Sequence, residues 1–125
     1  MGHSTNRESA CSFLNTVVAG NVREAYDKFV SQDFIHHNAH FKGDRESLLL
    51  AMEEDATKNP NKKLEIKLTL VDRDFVTTYS HIQHKPEDIG IAAAHIFRFE
   101  NSKIVELWDV AIFIPEDSPN ENGMF

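Results

Sequence analysis

The chain has a single cysteine, Cys11, in 125 residues. No internal disulfide can form, so nothing covalent staples the fold, and this composition suits a reducing cytoplasm. No apolar run approaches the roughly 20 residues that cross a bilayer, and the N-terminus lacks the apolar centre of a secretion signal. The expectation is a soluble, unprocessed, cytoplasmic protein with no membrane association. Basic residues are outnumbered: 13 lysines and arginines face 20 aspartates and glutamates, a formal net charge of -7. Neutralising nucleic-acid phosphates needs a basic face. The longest local group here, Lys62 and Lys63 followed by Lys67, is diluted by Glu65 and reads as one solvated edge, so no nucleic-acid partner is expected. There is also no GxGxxG, no Walker loop and no GxSxG, so nucleotide cofactors and serine hydrolase chemistry are unsupported.

At this length, with 41% hydrophobic residues, one domain over residues 1–125 can bury roughly two thirds of its unfolded surface. Residues 1–5 and 115–125 read as irregular; His3, in the first of these, receives no function. From Asn6 to Ala19, Ala10, Phe13, Leu14, Val17 and Val18 recur at helical spacing, and Gly20 is a natural stop. A second helix from Asn21 to about Val30 puts Val22, Ala25, Tyr26 and Phe29 on one face. Asp33 to His37 is a short extended entry, and 38–43 is a loop. A third helix follows Asp44 as N-cap, groups Leu48, Leu49, Met52 and Ala56, and ends before Asn59-Pro60.

From Lys63 the period becomes two. Leu64, Ile66, Leu68 and Leu70 alternate with polar residues, as in a strand buried on one face, and Phe75 to Gln83, Ile91 to Glu100 and Lys103 to Phe113 continue the series. Helices first and antiparallel strands afterwards predict an α+β fold with helices packed into one curved sheet.

The last hairpin, HIFRFENSKIVELWD from His95 to Asp109, concentrates the chemistry. Residues two apart share a face of a strand, so the face of Phe97, Phe99, Val105 and Leu107 carries His95 and Asp109 with it. Burying an imidazole and a carboxylate is costly unless they are paired, hydrated or used. They form a candidate acid/base pair across adjacent strands, with a structural hydrogen bond as the bland alternative. The opposite face, with Arg98, Trp108, Ile96, Ile104 and Val110, is an apolar patch with polar margins and predicts a homodimer through the outer sheet face.

Of His36 and His37 only one can point inward from an extended segment, and Asn38 could orient a substrate carbonyl or cap its loop. Tyr79 and His81 share a face with Phe75 and Thr77; inward, they would suit enolate stabilisation, and with the opposite parity they are exposed. Adjacent histidines on a strand diverge, and HHxxH at 36–40 matches no helical ligand motif, so no metal site is expected. Cys11 has no basic sequence neighbour to make a thiolate and reads as packing.

Three segments carry a family resemblance. FIHHN at 34–38 is similar to a YIQHN pattern, HIFRFENSKIVELWDV at 95–110 to DIFRxxxGKIVEHWDV, and the ending PNENGMF to a frequent C-terminus. The chain thus resembles SnoaL-like proteins, small members of the nuclear transport factor 2-like superfamily often described as aldol-condensation or polyketide-cyclase enzymes. The resemblance implies a cone-shaped fold in which three helices close a strongly bent, mostly antiparallel sheet around a hydrophobic pocket, and commonly a dimer. It also implies an acidic general acid/base working without cofactor or metal. By position Asp109 retains the aspartate of WDV and His37-Asn38 the entry pair, which favours His37 over His36. His95 stands where DIFR has aspartate, and Leu107 where EHWD has histidine.

The combined expectation is a cofactor-independent enzyme that moves a proton on a small hydrophobic carbonyl compound, by condensation, cyclisation or isomerisation. Asp109 is its base, and His95 or Tyr79 the acid or oxyanion donor. His37, Asn38, His81, Phe97 and Leu107 complete the substrate contacts. The alternative is a non-catalytic binding or scaffolding domain that kept the pocket and lost the reaction.

Overall fold

The computed structural model describes residues 5–125; Met1 to Ser4, and with them His3, lie outside the described residues. Three helices, α1 (Asn6–Val18), α2 (Val22–Phe29) and α3 (Arg45–Lys58), accompany five strands. These are β1 (Val30–His37), β2 (Lys63–Asp72), β3 (Phe75–Gln83), β4 (Ile91–Glu100) and β5 (Lys103–Phe113). A capping box starts α1: the Thr5 hydroxyl accepts from the Glu8 amide at 3.1 Å while the Glu8 carboxylate accepts from the Thr5 amide at 2.9 Å. Gly20, at φ +97°, ends the turn after α1, and Asp44 caps α3 by accepting from the Ser47 amide.

The strand order is β1-β5-β4-β3-β2, antiparallel except where β1 lies parallel to β5. The sheet is not closed; β1 and β2 are its edges. Both hairpin residues Asn101 and Ser102 have positive φ, 51° and 66°, the geometry whose twist matches antiparallel partners. All three helices pack on one sheet face, where Phe13, Tyr26, Leu48, Leu49, Phe97 and Leu107 form part of one core. This is the expected cone-like α+β arrangement.

Three local expectations are corrected. β1 begins at Val30, directly after α2, because pairing with Ile104 of β5 recruits the residues before Asp33. In β5 the register slips between Arg98↔Glu106 and Phe99↔Ile104, which leaves Val105 as an extra residue. This bulge turns Ile104 into the core and removes it from the outer patch. A second slip, between Ile66 and Leu68 in β2, reverses the parity there: Leu64 and Ile66 pack on the core, whereas Leu68 and Leu70 face out. Thr69 turns in instead, its hydroxyl 3.8 Å from the Cys11 sulfur.

The tail after β5 forms no helix or strand, yet it returns to the sheet. The Tyr79 hydroxyl donates to the Met124 carbonyl at 2.6 Å, and the Phe125 ring lies 5.4 Å from that of Tyr79 and 4.9 Å from that of His81. Among the described residues no helix is long and apolar enough to cross a membrane.

Candidate functional site

A cavity of about 490 Å³ lies between α1, α3 and the inner sheet face. Its wall is mostly apolar, with Leu14 and Val17 from α1, Leu48 and Met52 from α3, and Leu64, Ile91 and Ala111 from the sheet. Six polar residues also line it: Asn38, His40, Asp55, Lys62, His95 and Asp109. A volume of this size with few convergent polar groups is typical of a small-molecule site.

His95 and Asp109 are direct register partners on β4 and β5, and Nε2 of His95 stands 3.3 Å from Oδ1 of Asp109. Only 8% and 15% of their side-chain surfaces are exposed. Asn38, at the end of β1, donates from Nδ2 to Oδ2 of Asp109 at 2.7 Å and accepts the His40 amide at 3.0 Å, which holds its side chain in place. The two carboxylate oxygens thus each face one nitrogen, and each keeps lone-pair capacity.

Burial pushes the His95 imidazole below its ordinary pKa; Asp109 opposes this and the nearby Lys62 charge adds to it. A neutral ring facing a carboxylate with Nε2 carries its proton there, which leaves Nδ1 as the lone-pair nitrogen. His36, on the inner side of β1, is likewise depressed, first by burial, with Asp109 and Asp44 opposing. Its Nδ1 accepts the Asn38 amide at 3.1 Å.

These two shifts give a signed prediction. A histidine whose folded pKa lies below the unfolded value of 6.5 leaves the unfolded chain as the better proton binder in the window beneath 6.5. Stability therefore falls as pH drops from about 7.5 towards about 5.5, before most carboxylates titrate. Thermal unfolding across that range should show a lower Tm at the acid end, and His36→Gln should flatten part of the slope. A Tm that rises on acidification would contradict the assignment.

The sequence-predicted residues divide by strand parity. Asn38, His95 and Asp109 meet in the cavity. His37 does not: β1 turns His36 inward, at 4% exposure, and His37 outward. There the His37 ring stacks on Trp108 at 4.9 Å and its Nε2 lies 2.6 Å from Glu106. Tyr79 and His81 are also on the outer face, because β3 buries Val76, Thr78 and Ser80. His81 contacts the Ile89 carbonyl there, at 2.8 Å. Phe97 and Leu107 do face inward but are fully buried in the core behind the pair, with no cavity surface. Cys11 is half-buried. Among the described residues no group of three or more His, Cys, Asp or Glu is placed to hold a metal ion.

Sequence reasoning missed Lys62, Asp55 and His40 as cavity residues. Lys62 is not a solvated edge: its side chain is 19% exposed and pairs with Asp55, whose other oxygen accepts from Asn59 at 2.9 Å. The spacing of Asp55, Asn59 and Lys62 at the end of α3 was the available signal.

The SnoaL-like polyketide cyclase family model matches residues 9–111. Among solved structures, an NTF2-like protein of unknown function from Cytophaga hutchinsonii superimposes with a TM-score of 0.71 at 18% identity, covering 90% of this chain and 95% of that one. A SnoaL-like polyketide cyclase from Agrobacterium tumefaciens gives 0.70 at 16% identity, covering 88% and 93%. A SnoaL-like protein of unknown function from Burkholderia thailandensis gives 0.71 at 13%, covering 88% and 98%. No curated protein matches this sequence. At such identities the structural likeness speaks for the fold alone.

Proposed function

The chain belongs to the SnoaL-like polyketide cyclase family, and on that premise we propose that it is a cofactor-independent enzyme moving a proton on a small hydrophobic carbonyl compound. The observation that carries the proposal is Asp109, a carboxylate set in an apolar cavity wall between Asn38 and a neutral imidazole. As general base it takes a proton from the carbon beside a carbonyl; the C–H electron pair becomes the enolate double bond and the carbonyl pair moves onto oxygen. The enolate carbon then attacks a second carbonyl, whose π pair moves onto its oxygen and takes the proton back from Asp109, giving condensation or cyclisation, or Asp109 returns the proton to another carbon, giving isomerisation. Asn38 and His95 position the carboxylate, and Leu14, Val17 and Met52 offer apolar contacts that keep water from it.

The test is exchange of α-hydrogen for deuterium. Small aryl ketones and 1,3-diketones that raise the Tm are incubated with the protein in D2O and followed by NMR. Exchange above the buffer rate is expected for at least one of them. If every stabilising ligand exchanges no faster than in buffer, the protein is a binding domain and the proposal fails.

We propose further that two copies associate through the outer sheet face around Arg98 and Trp108. Leu68, Leu70, Phe75 and Val110 lie there, 40 to 64% exposed, an apolar group on one sheet face. The charges among them are already matched: Glu106 accepts from Arg98 at 2.9 Å and meets His37. A self-complementary partner of the same composition fits this patch. Light scattering should report a dimer, and Val110→Glu a folded monomer; a monomeric wild-type protein at micromolar concentration would refute it.

A further inference from the structure

The reaction proposed above leaves negative charge on the substrate oxygen, and the donors beside Asp109 are committed. Asn38 and His95 both direct a nitrogen at the carboxylate itself. His40 is exposed to water. Lys62 is the one lysine or arginine among the described residues that lines the cavity. Holding an ammonium in a largely apolar wall is costly, and the Asp55 pair offsets that cost. Asp55 in turn has both oxygens occupied, by Asn59 and by Lys62. An ammonium has three hydrogens, and the Asp55 contact uses one.

We propose that Lys62 is a catalytic residue whose ammonium binds the substrate's carbonyl oxygen and stabilises the enolate that forms when Asp109 removes the neighbouring proton. This inference rests on the proton-transfer reading of the cavity and adds its electrophilic half. Asp55 and Asn59 are positioning residues: they fix the ammonium at the α3–β2 corner, so little reorganisation is needed as charge develops. The charge of Lys62 is felt at His95, as expected if the ammonium and the pair act on one ligand. The substrate class narrows accordingly to ketones or 1,3-dicarbonyl compounds that can pass through an anionic enolate.

The experiment uses 4-nitrophenol, whose phenolate mimics an enolate and absorbs visibly, bound to full-length Asp109→Asn protein. Asparagine at 109 stands for the protonated carboxylic acid present once the proton has been taken. The bound probe is expected to be ionised at a lower pH than in Asp109→Asn/Lys62→Met, by about one pKa unit, a tenfold change in preference for the phenolate. Lys62→Gln provides a second comparison if the methionine variant melts early by circular dichroism. Equal ionisation with and without Lys62, or no binding of the probe, overturns the proposal. The readout involves no turnover, so its failure leaves the role of Asp109 standing, and the deuterium exchange judges that role separately.

Discussion

Asp109→Asn should lower the rate of α-hydrogen exchange by roughly 10² to 10⁴, the range over which a positioned general base contributes. The substitution is nearly isosteric and keeps an acceptor for Asn38, which donates to Oδ2 at 2.7 Å. The neutral His95 ring can meet the new amide by accepting at Nε2 instead of donating, which moves its proton to the buried, unpartnered Nδ1. What disappears is the basic lone pair. The expected signature is therefore a fall in kcat with KM little changed, since the loss falls on a step and not on the ground state, and a modestly lower Tm from the unpartnered Nδ1–H. Full exchange activity in Asp109→Asn would move the base elsewhere.

The second large effect is on stability. Phe97→Ala should cost about 3 to 5 kcal/mol, because a fully buried aromatic leaves a cavity that the surroundings only partly fill. Phe97 is wholly buried and packs edge-on to Phe13, with ring centroids 6.1 Å apart, next to Phe99 at 6.5 Å and His95 at 6.1 Å. Urea unfolding should show a lower midpoint with an unchanged slope. The sequence suggested Phe97 as a substrate contact, and this measurement separates the roles: a loss below about 1 kcal/mol with a raised KM would return it to the cavity wall.

The residues of this site were unequally legible. Asp109 and His95 could be read from alternation alone, since Phe97, Phe99 and Leu107 fix which face of the hairpin is inner. Asn38 followed as the residue after the histidine pair. His37 was favoured by the resemblance, and Tyr79 and His81 belonged to the cavity under only one of two open parities; all three lie on the outer face, and a short or polar strand does not carry enough apolar residues to choose between parities. For β1 the choice falls to Phe34 and His36, both buried. For β3 it falls to Val76 with two small polar residues, Thr78 and Ser80, that alternation scores as exposed. The histidine that the resemblance implies at Leu107 has a counterpart nearby in this chain, because His36 is the register partner of Leu107 on β1. An inward imidazole thus stands one strand away from the substituted position, a relation invisible along the chain.

The sequence by itself determined the order and type of the elements, the α+β class and the His95–Asp109 hairpin, because these depend on local periodicity, capping and turn chemistry, while the family followed from the resemblance of three segments. Tertiary structure alone decided the bulges in β2 and β5, the inward turn of His36 and the burial of Lys62 beside Asp55. Each of these depends on pairing or packing between segments distant along the chain, where the free energy of filling one shared cavity outweighs the preference of any single strand.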